Sequence, residues 1–517
     1  MLGGDVEIDV GGPVGECDSY DRGDDVRQPA VVDGAARSER SDRDLDAEGA
    51  DRCYGFVDVR TWLALDERFD RELNSLHGCS SYARTTSVAH GRSCHETCAE
   101  GGSPHGPTIG PMMLDTLHAE ALDLQDETVA LRRSLHERPE LGNELPITRD
   151  LLLESLEGLP LDLTLHRTTS GVSALLTGGK PGPTMLLRGD MDALPLDEDT
   201  GLDFSSRTDG CMHACGHDTH TAMLSTAAKV LSAHRDEIPG RVLFMFQPGE
   251  EGHHGAKFML EEGLLDVPAL ADGTDSPVTG AFALHIISAL PTGMVATRGG
   301  ACMASADQFL IRVHGAGGHA SEPFRTVDPV PIACEIVLAL QTMITRRIDV
   351  FDPAVVTVGR IHAGTTDNII SPLAEIEGTI RTVSERTRSQ VHDNLKRVAH
   401  SIAEAHGAAA EPEIIVGYPV TSNDDQFAEF TLDTAKQVLG VDKVQRFPNP
   451  IMGAEDFSYV LNEVPGTMMF LGGTPPERDP GTAPANHSNL VTFDETAMPV
   501  GVELYAQMAL RHLGISA

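Results

Sequence analysis

From Leu114 onward, apolar residues recur near helical spacing at Leu117, Leu122, Val129, Leu131 and Leu135. Short apolar runs then alternate with helical stretches. Residues 184–188 read as a strand ending at Gly189-Asp-Met-Asp192, and residues 241–246 as a strand leading to Glu250 and Glu251. A third strand, 281–284, delivers His285, while residues 218–233 and 255–262 are helical. Three strands therefore end at aspartate, paired glutamates and histidine. In open α/β sheets, ligands bind just outside the carboxyl ends of the strands.

A different pattern begins near Cys302. It runs strand 306–313, helix 329–347, strand 355–361, strand 373–381, helix 384–406, strand 413–417. This β-α-β-β-α-β order is ferredoxin-like. Ile332, Ile336, Leu338, Leu340 and Ile344 supply apolar side chains for a separate core. The α/β pattern then returns with helix 427–439 and strand 467–471. The expected fold is an α/β mixed-sheet domain (112–301 and 419–517) carrying an inserted ferredoxin-like α+β domain (302–418). A chain of 517 residues is long enough for both.

Residues 1–111 differ. They are rich in charge and glycine and lack sustained apolar periodicity, so they read as a disordered extension. Met112-Met113 directly precedes the first helical pattern, and a start assigned too far upstream accounts for the stretch equally well. His90, Cys94, His95, Cys98 and His105 cluster there without the second cysteine pair of a zinc finger.

Charge narrows the partners. A formal net charge of −39 disfavours nucleic acid, whose phosphates repel such a surface. No apolar run approaches a membrane span, and the acidic N-terminus is no secretory signal, so a cytoplasmic protein is expected. Most of the nine cysteines are then free thiols or ligands.

The candidate chemistry lies in two segments. Cys211-Met-His-Ala-Cys-Gly-His-Asp218 places thiolate and imidazole at Cys215 and His217, within reach of one small cation. Gln247-Pro-Gly-Glu-Glu251 offers two adjacent carboxylates. A metal-dependent hydrolase needs carboxylate or imidazole ligands and one further carboxylate that is not a ligand. Two neighbouring glutamates can divide those roles. Gly315-Ala-Gly-Gly318 follows a strand as a dinucleotide loop does, but its third glycine is misplaced and Pro323 follows.

Together with Gly189-Asp-Met-Asp-Ala-Leu-Pro195, Gly453-Ala-Glu-Asp-Phe457 and Asn486-His-Ser488, these motifs resemble the metal-dependent aminoacylase/carboxypeptidase amidohydrolases. That family includes hippurate hydrolases, auxin-conjugate hydrolases and N-acetyl-diaminopimelate deacetylases. The resemblance covers Leu114 to the C-terminus. It implies a metallohydrolase with two divalent ions per subunit, manganese or zinc first, cobalt or nickel next. By the same resemblance Cys215, His217, Glu251, His285 and His487 are the ligands, Glu250 is the general base, and Asp192 orients a ligand histidine. His213 matches no ligand and is expected to be a hydrogen-bonded loop residue. Asp190 matches no role. Glu455 and Asp456 are either pocket-lining residues or a helix N-terminus.

The inserted domain is implied to be a lid and homodimerisation surface. There His319 completes the active site, and Asn368 and Arg381 hold the substrate carboxylate, for which arginine's planar fork is suited. The implied substrates are N-acyl amino acids or related small conjugates. Two rivals are a metallo-aminopeptidase or dipeptidase of the same fold, whose relatives usually lack a cysteine ligand, and a non-catalytic binding protein, which would be expected to have lost a ligand or the base.

Overall fold

The computed structural model describes residues 112–515. The expectations for residues 1–111, including the cluster between His90 and His105, fall outside the described residues. The first apolar pattern resolves into two helices, α1 (Met112–Asp123) and α2 (Gln125–His136), because Leu124 leaves the helical range at ψ 2°. Leu117 and Leu135 turn inward, whereas Leu122 is exposed. Next come α3 (Pro146–Ser155), β1 (Leu161–Leu165), β2 (Val172–Thr177) and β3 (Lys180–Asp190). They are followed by α4 (His217–Ala233), β4 (Pro239–Gln247), α5 (Gly255–Glu261), β5 (Val278–Pro291) and β6 (Val295–Thr297).

The chain then crosses through β7 (Gly300–Met303) into a second sheet. Its elements are β8 (Ala306–His314), β9 (Gly318–His319), α6 (Pro329–Arg347), β10 (Ala354–Ala363), β11 (Ile369–Ile370), β12 (Leu373–Thr382), α7 (Glu385–Ala405) and β13 (Ala409–Tyr418). It returns through β14 (Thr421–Asn423), which pairs antiparallel with β7, to α8 (Asp425–Leu439), β15 (Val444–Arg446), α9 (Ser458–Glu463), β16 (Gly466–Thr474) and α10 (Met498–His512).

The large sheet has the order β1-β2-β4-β3-β5-β16-β6-β15 and is mixed. Its centre, β4-β3-β5-β16, is parallel. Those strands are buried on both faces, which is why they read as unbroken apolar runs. Leu187, Phe244, Phe282 and Met469 enter one core layer with α1, α4 and α10. Their neighbours Leu186, Met245, Ala283 and Met468 enter the opposite layer, as a two-residue period requires. α4 is buried along most of its length, packed between the sheet and the helices outside it.

The second sheet, β10-β12-β8-β13, is antiparallel throughout and carries its own core. Phe309, Ile311 and Val313 of β8 pack with Ile332, Ile336 and Leu340 of α6 and Val391 and Leu395 of α7. Leu338, expected to join this core, is instead 70% exposed. It lies about 200° around the helix from Ile336. Side-chain caps start both helices: Asp328 accepts from the Val330 amide and Ser384 from the Thr387 amide. The short β9–β11 ribbon had no signal in the apolar pattern.

Candidate metal centre

The carboxyl ends of β3, β4 and β5 converge on one point. Pro248 and Gly249, the latter at φ +68°, turn the chain after β4 and set Glu250 and Glu251 over the sheet edge. Gly216 sits at φ +91° before α4, where an added Cβ would lie 2.3 Å from Ile286 Cγ2. That tight turn carries Cys215 on one side and His217 on the other. His285 lies within β5, two residues beyond the last β3 partner, Ala283. His487 arrives from the loop before α10 with a left-handed φ of +71°.

These five side chains meet. Cys215 Sγ lies 3.4 Å from His285 Nε2 and 3.3 Å from His487 Nε2. Glu251 Oε1 lies 3.3 Å from His487 Nε2 and 4.0 Å from His217 Nε2. The donor atoms of Cys215, His217 and His285 fall within 4.8 Å of one another, as do those of Cys215, Glu251 and His487. Cys215 belongs to both sets.

The donors fit a divalent metal. His217 Nε2 and Glu251 Oε1 are buried without a hydrogen-bond partner among the described residues. His217 Nδ1 donates to the Asp192 carbonyl at 2.8 Å and His285 Nδ1 to the Ile286 carbonyl at 2.7 Å, which turns both Nε2 atoms inward. Imidazole, carboxylate and thiolate together suit zinc, manganese, cobalt or nickel.

Asp192 makes a different contact from the one expected. Its backbone carbonyl, not its carboxylate, takes the short bond from His217; the carboxylate is 3.5 Å from that ring. The carboxylate oxygens instead accept the amides of Glu250 at 2.9 Å and Glu251 at 3.0 Å. Asp192 thus orients the glutamate pair as well as the histidine.

Behind the cluster lies a buried ionic network. Arg188 donates to Asp190 at 2.6 Å, Gln247 at 2.8 Å and Glu455 at 2.7 Å. Asp456 accepts from Gln247 at 2.6 Å and from the Ala256 amide near the start of α5 at 3.0 Å. Asp190 also accepts from His220 Nδ1, and His220 Nε2 in turn accepts the Ile286 amide. Both ring nitrogens of His220 are therefore engaged, which removes it from the ligand set.

Charge is distributed unevenly. Burial, reinforced by Glu455, Glu251 and Asp456, pushes the Glu250 carboxyl well above its usual range. Burial would do the same to Asp190, but Arg188, His217 and His220 outweigh it and hold that group well below. Cys215 and Glu251 beside its ring raise His487 to about 10. Burial pushes His213 down to about 4. Contrary to the expected hydrogen-bonded loop residue, neither His213 ring nitrogen has a partner among the described residues.

A cavity of about 600 Å³ opens over the cluster. Cys215, Glu250, Glu251, His285 and His487 line its floor, and Ile287, Met303, Ile451 and Phe470 contribute apolar surface. Gln308, Arg381 and Tyr418 of the inserted sheet also line it. The Arg381 side chain makes no hydrogen bond or ion pair among the described residues; burial lowers its pKa against the pull of Asp307. His319 and Asn368 do not line this cavity. Both are exposed beside each other at the β9–β11 ribbon, where the Asn368 carbonyl accepts the Ala320 amide at 3.1 Å. Glu455 lines the cavity and binds Arg188, and it also accepts the Phe457 amide at 2.9 Å just before α9, so both expected settings are observed.

Sequence reasoning gave no role to Tyr418, to Arg188 or to Asn486 within the Asn486-His-Ser488 motif. Asn486 adjoins a ligand candidate, which was the available signal for it. Arg188 had one too: a charged residue inside an apolar strand needs buried partners.

Residues 186–511 match the model of peptidase family M20/M25/M40. Thermostable carboxypeptidase 1 of Saccharolobus solfataricus is 37% identical over 403 residues, covering 77% of this chain and 98% of that protein. N-acetylcysteine deacetylase of Bacillus subtilis is 36% identical, covering 74% and 96% respectively. Among solved structures, the YXEP protein of Bacillus subtilis, described as a dinuclear metal binding peptidase from the M20 family, superposes with TM-score 0.65 at 32% identity. It covers 76% of this chain and 100% of its own. The chain belongs to the M20/M25/M40 peptidase family and is a metal-dependent hydrolase of amide bonds.

Proposed function

We propose that the protein hydrolyses the amide bond of N-acyl amino acids or related small conjugates, with Glu250 as general base. The observation that carries this reading is the placement of two adjacent glutamates in different settings. Glu251 reaches His487 and His217 within the donor cluster, while Glu250 faces the cavity with its affinity for protons raised. Cys215, His217, Glu251, His285 and His487 would hold two divalent ions, manganese or zinc. Bound there, such ions supply positive charge that polarises a scissile carbonyl and acidifies water. Glu250 takes the proton from the attacking water and passes it to the leaving nitrogen, a contribution of roughly 10²–10⁴-fold. Asp192 keeps both glutamates in place through their amides.

Arg381 is the partner for a substrate carboxylate, since it lines the cavity uncommitted. His319 and Asn368 reach the substrate only if the inserted domain closes or a second subunit presents them. This is the role of a lid and homodimer surface. Among the described residues Cys211, Cys215, Cys302 and Cys334 are free thiols, which a reducing cytoplasm would preserve.

The test separates the glutamates. Glu250→Gln should abolish turnover of N-acetyl, N-benzoyl and indoleacetyl amino acids while keeping the metal content measured by elemental analysis. Glu251→Gln should lose metal. The opposite pattern reverses the assignment, and turnover of free dipeptides alone would favour a peptidase.

A further inference from the structure

Tyr418 is the last residue of β13 and sits where the inserted sheet returns to the large one. Its approach is built by an irregularity in the strand. Ile415 pairs with Gln308 and Tyr418 with Ala306, so Val416 and Gly417 oppose the single residue Asp307. Such bulges bend a strand and re-aim the side chain that follows. The Asp307 carboxylate accepts the Gly417 amide at 2.9 Å, and Arg388 donates to the Gly417 carbonyl at 3.1 Å. Only glycine fits there, because a Cβ on Gly417 would stand 2.0 Å from the Ala306 carbonyl oxygen.

The re-aimed ring leaves the inserted sheet and enters the large domain. Its hydroxyl donates to the backbone carbonyl of Glu250 at 2.5 Å. The ring meets His254 edge-on, with centroids 4.8 Å apart. Burial, together with Asp456 and Glu250, pushes the phenol pKa far up and keeps it a donor. The peptide groups around Glu250 are then held from two sides. Asp192 accepts the Glu250 and Glu251 amides, and Tyr418 and the Gly252 amide donate to the Glu250 carbonyl.

We propose that Tyr418 is a positioning residue for Glu250: its hydroxyl fixes the peptide that carries the base and ties the base's alignment to the seating of the inserted sheet. This rests on the reading of Glu250 as general base. The inserted sheet then contributes to proton transfer through a backbone contact at its junction, separately from any residue it lowers over the substrate. Misplacement of a reacting group by about 1 Å can cost roughly 10²-fold in rate.

The experiment compares Tyr418→Phe with wild type and with Tyr459→Phe. The latter removes a hydroxyl that contacts His254 at 2.9 Å and reaches the Gly417 carbonyl only at 3.5 Å, and does not touch Glu250. Tyr418→Phe should lower kcat at least about 10-fold. KM should stay within about 2-fold, with metal content and thermal midpoint unchanged, while Tyr459→Phe keeps wild-type kcat. Tyr418→His, which retains a ring and an N–H donor, should recover part of the loss. Wild-type kcat in Tyr418→Phe overturns the proposal. So does a variant that misfolds, loses metal or changes KM in step with kcat, because each assigns the hydroxyl to structure instead. Glu250→Gln separates the two readings: if it stays active, the base assignment falls. If it is dead while Tyr418→Phe is normal, only the positioning role falls.

Discussion

Asn486 donates its side-chain amide to the carbonyl of Cys215 at 3.1 Å. The same amide reaches the Ile286 carbonyl at 3.1 Å, and its oxygen accepts the Ser288 amide at 3.0 Å. One side chain therefore joins the Cys215 turn, the β5 segment after His285 and the loop of His487. Asn486→Ala should weaken metal affinity by about 10–100-fold, the usual cost of losing an outer hydrogen bond around a metal site. A competitive chelator titration measures it, and turnover at saturating metal should fall much less.

Arg381→Met should discriminate between substrates. A hydrogen-bonded charge is worth about 1.5–3 kcal/mol, or roughly 10–100-fold. The loss in kcat/KM should appear for N-acyl amino acids with a free carboxylate and be small for their carboxamide analogues. Equal loss on both would remove Arg381 from carboxylate recognition.

Acid should loosen the inserted sheet through Asp307. Burial alone would raise this carboxyl, but Arg388, His392 and the Gly417 amide outweigh it and hold it well below the usual range. A depressed folded pKa gives stability that is full above the unfolded value, about 3.9, and is lost as pH falls through the folded one. Asp307→Ala should cost about 3 kcal/mol in urea unfolding at pH 7, since it takes the shared acceptor from Arg388, His392 and the Gly417 amide and leaves the buried Arg388 only the exposed Glu385 as a charged partner. Its stability should also decline less steeply than wild type below about pH 4.

A chain beginning at Met112 should retain wild-type turnover and the same urea midpoint. Met113, Leu114 and Leu117 already close the core at that end. The Saccharolobus carboxypeptidase is matched over 98% of its length by 403 residues of this chain. An insoluble truncated protein would refute this.

The elements that bury one stripe or both faces were readable in advance. β3 and β4 announced themselves by apolar runs, and α6 by its recurring apolar residues. What escaped were features set by contacts distant in sequence. The break at Leu124 leaves the apolar period intact, so nothing in the pattern marks it. Leu338 kept an apolar side chain on a solvent face, which a composition-weighted reading assigns to the core. At the site, residue type and spacing pointed to Cys215, His217, the glutamate pair at 250 and 251 and His285, while the family resemblance divided the glutamates and added His487. The histidine-orienting role of Asp192 came from the resemblance alone, and its carboxylate's bonds to the 250 and 251 amides were hidden because they depend on how β3 and β4 end side by side. Tyr418 was invisible because a bulge, not a residue type, directs it.

His487 is one of two described non-glycine residues with positive φ, and such a conformation is held only where its surroundings over-determine it. Its imidazole is half-exposed, so packing alone does little to hold it. The His487 amide donates to the Ala214 carbonyl at 2.9 Å and the Asn486 clamp holds the residue before it; under the proposed assignment, coordination would add a further restraint. Chelation would then remove one of these restraints, and amide hydrogen exchange should rise first around residues 485–490, ahead of any change in the sheet. Metal occupancy would then be legible from outside the site, as the protection of a single surface loop.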